Sequence, residues 1–264
     1  MNVIKVSRLY VRSLYRFARG LKQALAVGGV SGLGECVYCR LRRFQTSPQP
    51  KGESRKSAFD CKYGVDTDGV VPTYELETDG PNYIHGYNYQ GCNPAFLGHA
   101  FARLNLSADQ YCFVDLGSGK GRALLVASEY PFKAIIGVEY ARALHEIAKS
   151  NIMTYKSGTQ RCSEIRSVCA DAAEFELPDG PLVVFMYNPF EAKLLREILE
   201  KLKLSYSLEP RDLKIIYLNT SVEIEKTFSK VELIQKCLHE PEPGNPRCFW
   251  AAYTFKKARC VRPA

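Results

Sequence analysis

FVDLGSGKGRALLVAS, residues 113–128, decides the reading of this chain. An apolar run ends in Asp115, glycines follow at every second position (Gly117, Gly119, Gly121), and a helical pattern begins at once. Backbone can approach a small molecule closely at such a loop, and the start of the helix favours polar or anionic groups. A dinucleotide loop would read G-x-G-x-x-G. Gly117 and Gly119 fit, but the sixth position is Arg122, whose side chain obstructs the tight packing a third glycine permits. Asp115, two residues before the first glycine, is also atypical of dinucleotide sites. A buried acid at a strand end suits a ligand carrying a cationic ammonium group.

Working outward, strand-like runs alternate with helical patterns. The stretches 110–116, 133–139, 164–170, 181–187 and 213–219 read as strands, and GRALLVASEY, ARALHEIAKSNI and EAKLLREILEKLKL between them have helical periods. That alternation predicts a parallel sheet with right-handed crossovers. The end differs. KVELIQKCLH (230–239) and RCFWAAYTF (247–255) are joined by EPEPGNP, too short for a crossover helix, so an antiparallel hairpin is expected at the sheet edge. The ligand should lie at the carboxyl ends of the strands, at the switch point.

The 264 residues suffice for one α/β domain plus an extension. The net charge of +8 is uneven: residues 1–56 hold 12 Lys and Arg against Glu35 and Glu53, so the remainder is close to neutral. Lys5, Arg8, Arg12, Arg16, Arg19 and Lys22 recur at helical spacing and form one basic face. Such a face over residues 1–25 suits an anionic membrane surface, a mitochondrial presequence within residues 1–34, or a solvated flank of a helix packed on its own domain. SPQPKGESRKS (47–57) reads as a linker, dividing a basic helical extension, 1–56, from a domain spanning 57–264. No window approaches the ~18 consecutive apolar residues of a membrane span. Ten irregularly spaced cysteines and the lack of an adequate secretory segment predict reduced thiols and a cytoplasmic setting. The lone pair Cys36 and Cys39 lacks a matching second pair, and His85, His99, His145 and His239 show no ligand spacing, so no metal is expected.

The motif VDLGSGKG, followed by the terminal hairpin, resembles the class I, seven-stranded S-adenosyl-L-methionine-dependent methyltransferases, over roughly residues 85–255. DLGSGKGR with the upstream YNYQGCNP is similar to seven-strand protein-lysine methyltransferases, including the histone-lysine type without a SET domain, and to uncharacterised bacterial relatives. The resemblance implies a Rossmann-like, mostly parallel seven-stranded sheet. It also implies a cofactor loop made of Asp115, Gly117, Ser118, Gly119 and Gly121, with Tyr89 and Asn93 contributing from upstream. Glu139 ends its strand 18 residues after Gly121, where an acid accepts the ribose hydroxyls. Asp171 would take the adenine amino group and Ala172 would offer a backbone N–H. Asn188, Pro189 and Phe190 are similar to the (Asn/Asp)-Pro-Pro-(Tyr/Phe) motif of amino-methyltransferases, with one proline instead of two, which leaves the acceptor type open.

Each position has a plainer reading. The glycines could only make a turn, Glu139 could favour a helix start, Asp171, Tyr89 and Asn93 could be turn residues, and Asn188 could cap the following helix. Methyl transfer from a sulfonium is an in-line displacement that needs no metal, and alignment alone can supply roughly 7–11 kcal/mol. No positioned His or Lys stands out as a general base, which favours an amine acceptor, a protein lysine foremost. A small-molecule methyltransferase, a non-catalytic methyltransferase-like module that holds nucleic acid, and a dehydrogenase are the alternatives; Arg122 and the hairpin argue against the last.

Overall fold

In the computed structural model, residues 57–71, 76 and 86–256 are described. The basic extension 1–56, with Cys36 and Cys39 and the membrane and presequence readings of residues 1–34, lies outside them, as does His85. Among the described residues no helix is long and apolar enough to cross a membrane.

A short helix α1 (Ala58–Tyr63) leads into the two-residue strand β1 (Val70–Val71), which pairs antiparallel with β2 (Tyr89–Gln90). Helix α2 (Pro94–Arg103) follows, then β3 (Cys112–Leu116), α3 (Arg122–Ala127), β4 (Ala134–Glu139), α4 (Arg142–Thr154) and β5 (Ile165–Cys169). The second half runs β6 (Leu182–Tyr187), α5 (Ala192–Leu208), β7 (Leu213–Leu218), α6 (Val222–Ser229), β8 (Ile234–Glu242) and β9 (Asn245–Phe255). Seven strands form one sheet in the order β5-β4-β3-β6-β7-β9-β8. The first five are parallel and β9 inserts antiparallel between β7 and β8. The chain starts in the middle at β3, goes outward to β5, then returns to β6 on the other side. The switch point therefore falls between β3 and β6, where the glycine loop and the 188–190 segment leave the sheet.

β3, β4 and β6 are nearly continuous apolar runs because both faces are covered. On one face, α2 and α3 bury Phe96, Phe101 and Leu124 against Phe113, Phe185 and Trp250. The Phe96 ring meets Trp250 edge-on at 5.4 Å and Phe101 meets Phe113 at 6.0 Å. On the other face α5 and α6 bury Leu195, Ile198 and Phe228 against Val184, Ile215 and Tyr253.

The hairpin is present, but with different bounds. β8 begins at 234, since 230–233 form a turn after α6 in which Leu233 has φ +70°. The proposed seven-residue connection is mostly strand: β8 runs to Glu242, β9 starts at Asn245, and the turn is Pro243–Gly244 alone, with Gly244 at φ +79°. Pro241 is tolerated because β8 is the sheet edge and a register shift lies beside it.

Candidate functional site: the cleft at the switch point

The loop Gly117–Gly121 joins β3 to α3, and all three glycines are left-handed, at φ +85°, +54° and +84°. Two of them also permit close approach. A Cβ on Gly117 would lie 2.5 Å from the Pro189 Cβ, and one on Gly119 would overlap Cδ2 and Cε2 of Tyr89. The amides of Gly117 and Ser118 donate to the Val138 carbonyl at 2.9 and 3.1 Å, knitting the loop to β4. Ser118 is buried and its Oγ has no hydrogen-bond partner.

Glu139, at the end of β4, is 3% exposed. Its Oε2 accepts the Gly119 N–H and its Oε1 the Ala141 N–H, both at 2.8 Å. Burial pushes its carboxyl up to about 7, against the pull of the Ala141, Gly119 and Tyr140 amides. Asp115, inside β3, is raised well above the ordinary range, by burial first and by the charge of Glu139 second. A dry site with two acids close together is poised to receive hydrogen-bond donors or positive charge.

Two clefts of about 300 and 460 Å³ meet here and share Gly117, Tyr140 and Phe190. The smaller is walled by Asp171, Ala172, Val138 and Leu194. The Asp171 Oδ1 accepts the Ala173 N–H at 2.9 Å. The larger is bounded by Gly119 and Glu139 and by Tyr87, Tyr89, Tyr187 and Pro189. The structure thus brings Tyr89, Gly117, Gly119, Glu139, Asp171, Ala172, Pro189 and Phe190 to one place. Asp115, Ser118 and Gly121 support the loop from behind rather than line the clefts.

Asn93 goes elsewhere: it is exposed, lines neither cleft, and caps α2 by accepting the Ala95 N–H at 3.0 Å. Asn188 does not cap a helix, since α5 starts after Glu191. It sits at φ +40°, where asparagine is tolerated, and its Oδ1 accepts the Tyr217 hydroxyl at 3.0 Å. Pro189 accepts the Tyr87 N–H at 3.1 Å, and Gly86 bridges to Phe190, so the upstream segment crosses the end of β6.

Arg122 differs most from its sequence reading. A cation in the first turn of a helix calls for a carboxylate partner, and Glu139 is the candidate in the neighbouring motif; Arg122, 6% exposed, does meet carboxylates, but they are Asp60 at 3.5 Å and Asp68 at 3.3 Å. Glu139 is already engaged by amides. Tyr87, Tyr140, Tyr187 and the segment 57–68 were not singled out. Tyr140 and Tyr187 carry one weak signal, since each adjoins a motif residue, Glu139 and Asn188.

Residues 82–163 match the family model described as Histone methylation protein DOT1. That stretch is about a third of the chain and contains β2 through α4, with the glycine loop and Glu139. No curated protein matches the chain. Solved structures that are similar include an S-adenosylmethionine-dependent methyltransferase from Clostridium acetobutylicum, at 9% identity, covering 62% of this chain and 91% of that one, TM-score 0.46. A second is TrmN from Thermus thermophilus, at 17% identity, covering 62% and 49%, TM-score 0.47. A third is an RNA methyltransferase from Salinibacter ruber in complex with S-adenosyl-L-homocysteine, at 15%, covering 65% and 99%, TM-score 0.43. The strand order, the parallel half-sheets and the terminal hairpin are those of the Rossmann-like class I methyltransferase fold.

The residues fit the methyl donor of that class. Glu139 holds a carboxylate at the cleft, the apolar walls Val138, Phe190 and Leu194 flank Asp171 where a purine would lie, and the left-handed loop leaves its backbone bare. Among the described residues no group of three His, Cys, Asp or Glu could hold a metal.

Proposed function

We propose that the protein is an S-adenosyl-L-methionine-dependent methyltransferase acting on an amine nitrogen, with a protein lysine as the favoured acceptor. The observation that carries this reading is the wall of the larger cleft. Tyr87, Tyr89, Tyr140, Tyr187 and Phe190 surround it, Glu139 is the carboxylate within it, and no Lys, Arg or His of the described residues lines it. An aromatic face attracts a cation by about 0.5–1 kcal/mol where exposed and by about 2 kcal/mol when desolvated. The donor supplies a methyl group on a cationic sulfonium; the chain's part is to hold, align and keep water out.

An amine acceptor must first lose its proton. For a free lysine at pH 7 that costs about 4–5 kcal/mol. Desolvation in the cleft lowers the cost, because burial disfavours the ammonium form, and the aromatic faces act on the cation that forms at the nitrogen as the methyl group arrives. Phe190 and Pro189 border the cleft, and the Asn188 carbonyl, held by Tyr217, supports the adjacent backbone. The match to Histone methylation protein DOT1 supports a protein amine over a small molecule.

The test has two arms. Calorimetry should show S-adenosyl-L-homocysteine binding in the micromolar range usual for such ligands. Labelled methyl groups should pass into protein in a lysate, and this should vanish when protein amines are first exhaustively acetylated. Label confined to small molecules would replace the protein acceptor with a small amine. Loss of binding altogether would sink the enzyme reading.

Asn188 gives a sharper prediction. Asn188→Gly keeps the positive φ but removes the carbonyl that Tyr217 holds. We expect turnover to fall about tenfold or more while cofactor affinity stays within a few-fold. Equal losses in both would place Asn188 in the cofactor site instead.

A further inference from the structure

We propose that residues 57–71 form a clamp on the cofactor loop, and that Arg122 and Asp60 are positioning residues that hold Tyr89 in place over Gly119. The inference rests on the reading of the cleft as a cofactor site, but it is carried by contacts that the reading does not use.

The contacts form one unbroken chain. Asp60, 1% exposed, accepts the Thr67 N–H at 2.7 Å, the Thr67 hydroxyl at 2.5 Å and the Asp68 N–H at 2.9 Å. The acid thereby closes residues 60–68 into a tight loop. Arg122, directly behind Gly121, reaches into that loop. Its Nε donates to Thr67 Oγ1 at 2.7 Å, its Nη1 to the Cys92 carbonyl at 3.3 Å and its Nη2 to Ser57 Oγ at 3.3 Å. Lys120, inside the glycine loop itself, donates to Asp66 Oδ1 at 2.7 Å and to the Asp68 carbonyl at 2.8 Å. The Asn151 side chain donates to the carbonyls of Asp66 and Lys120 at 2.7 and 2.9 Å, tying clamp and loop together.

Tyr89 is the outcome of this arrangement. Its hydroxyl donates to the Thr67 carbonyl at 2.6 Å, its backbone pairs with Val71, and its ring lies where a Gly119 side chain would be. Tyr89 also lines the larger cleft. Arg122 and Lys120 are both buried cations whose acidic partners come from the clamp. Lifting the clamp would strip both of their partners, and a buried charge left unpaired is disfavoured. The clamp and the loop therefore hold this geometry together or lose it together, and cofactor affinity is coupled to a segment about 50 residues upstream of the loop.

The test uses the full-length chain and two readouts. The first is amide hydrogen exchange of residues 117–121 and 57–68 without ligand. Arg122→Gln should speed exchange in both stretches; unchanged exchange overturns the clamp. The second is titration with S-adenosyl-L-homocysteine. Arg122→Gln should weaken binding about tenfold, with the cofactor KM rising by more than kcat falls. Tyr89→Phe, which removes only the bond to Thr67, should weaken it by less, and the double variant should bind no worse than Arg122→Gln alone. Additive losses overturn the clamp, because Tyr89 would then act independently of it. Should Arg122→Gln fail to fold, Thr67→Val takes its place with the same expectations. Wild-type protein that binds no ligand would sink the cofactor reading, and exchange would still decide the clamp.

Discussion

Gly119→Ala is expected to abolish useful cofactor binding while leaving the sheet folded. Two costs coincide at this position. The φ of +54° lies in the left-handed region, where a Cβ costs roughly 1–2 kcal/mol. The new methyl would also overlap the Cδ2–Cε2 edge of the Tyr89 ring, which cannot swing aside easily because its hydroxyl is held by Thr67 and Lys120 lies 5.6 Å above the ring. Overpacking of this kind costs about 1–3 kcal/mol. Since 1.4 kcal/mol is a factor of ten, the sum of about 2–5 kcal/mol weakens binding by some thirtyfold to a few thousandfold if it falls on the binding-competent loop. Gly180→Ala is the control. It has φ +74° but nothing within 4 Å, so it bears the backbone strain alone, outside both clefts. We expect Gly180→Ala to lower the Tm and leave affinity intact. A Gly119→Ala protein that binds S-adenosyl-L-homocysteine within threefold of wild type would refute the account of the loop.

Stability and cofactor affinity should respond to pH in opposite directions, through Glu139. Its carboxyl is pushed up from 4.5 to about 7 by burial. A raised folded value means that, between about pH 4.5 and 7, the folded protein keeps a proton that the unfolded chain has released. Stability from this group is complete below that window and is lost as pH rises through it, by roughly 3 kcal/mol at about 1.4 kcal/mol per pH unit. Asp115 is displaced in the same direction by the same burial. Ligand binding runs the other way. Ribose hydroxyls donate to an ionised carboxylate, so affinity should climb as Glu139 ionises toward pH 7 and above. Denaturant midpoints at pH 5.5 and 7.5 read the first effect and calorimetry at the same values the second. Glu139→Gln should flatten both slopes. Slopes of equal sign in the wild type, or an unchanged pair in Glu139→Gln, would contradict the assignment of Glu139 to the ribose.

Most of the fold was legible in the sequence, because the signals are local. A run such as CFVDL, apolar but for Asp115, must be covered on both sides, strands spaced by helical patterns must be parallel, and a connection too short for a helix must turn back. The glycine loop was legible for the same reason: three positive φ values within five residues demand glycines in a recognisable spacing. Glu139 followed from its distance along the chain, since β3 and β4 are neighbours and their ends coincide. The hairpin bounds were not legible, because Pro241, read as a breaker, is harmless on the edge strand β8, and Pro246 opens β9 ahead of the stretch that pairs with β7.

What only the tertiary structure decided is which side chains meet across long stretches of sequence. Asn93, beside Tyr89 in the same motif, turned to cap a helix, whereas Tyr89 covers the loop. Asn188 met Tyr217 on β7 rather than a helix end. Arg122 found Asp60, Thr67 and Asp68 more than fifty residues upstream, instead of Glu139 nearby. Backbone conformation is specified by neighbours in the chain, so periodicity and glycine placement foretell it. The partner of a buried charge is chosen by whichever opposite charge the packed fold brings within about 4 Å, and that distance exists only once the chain has folded.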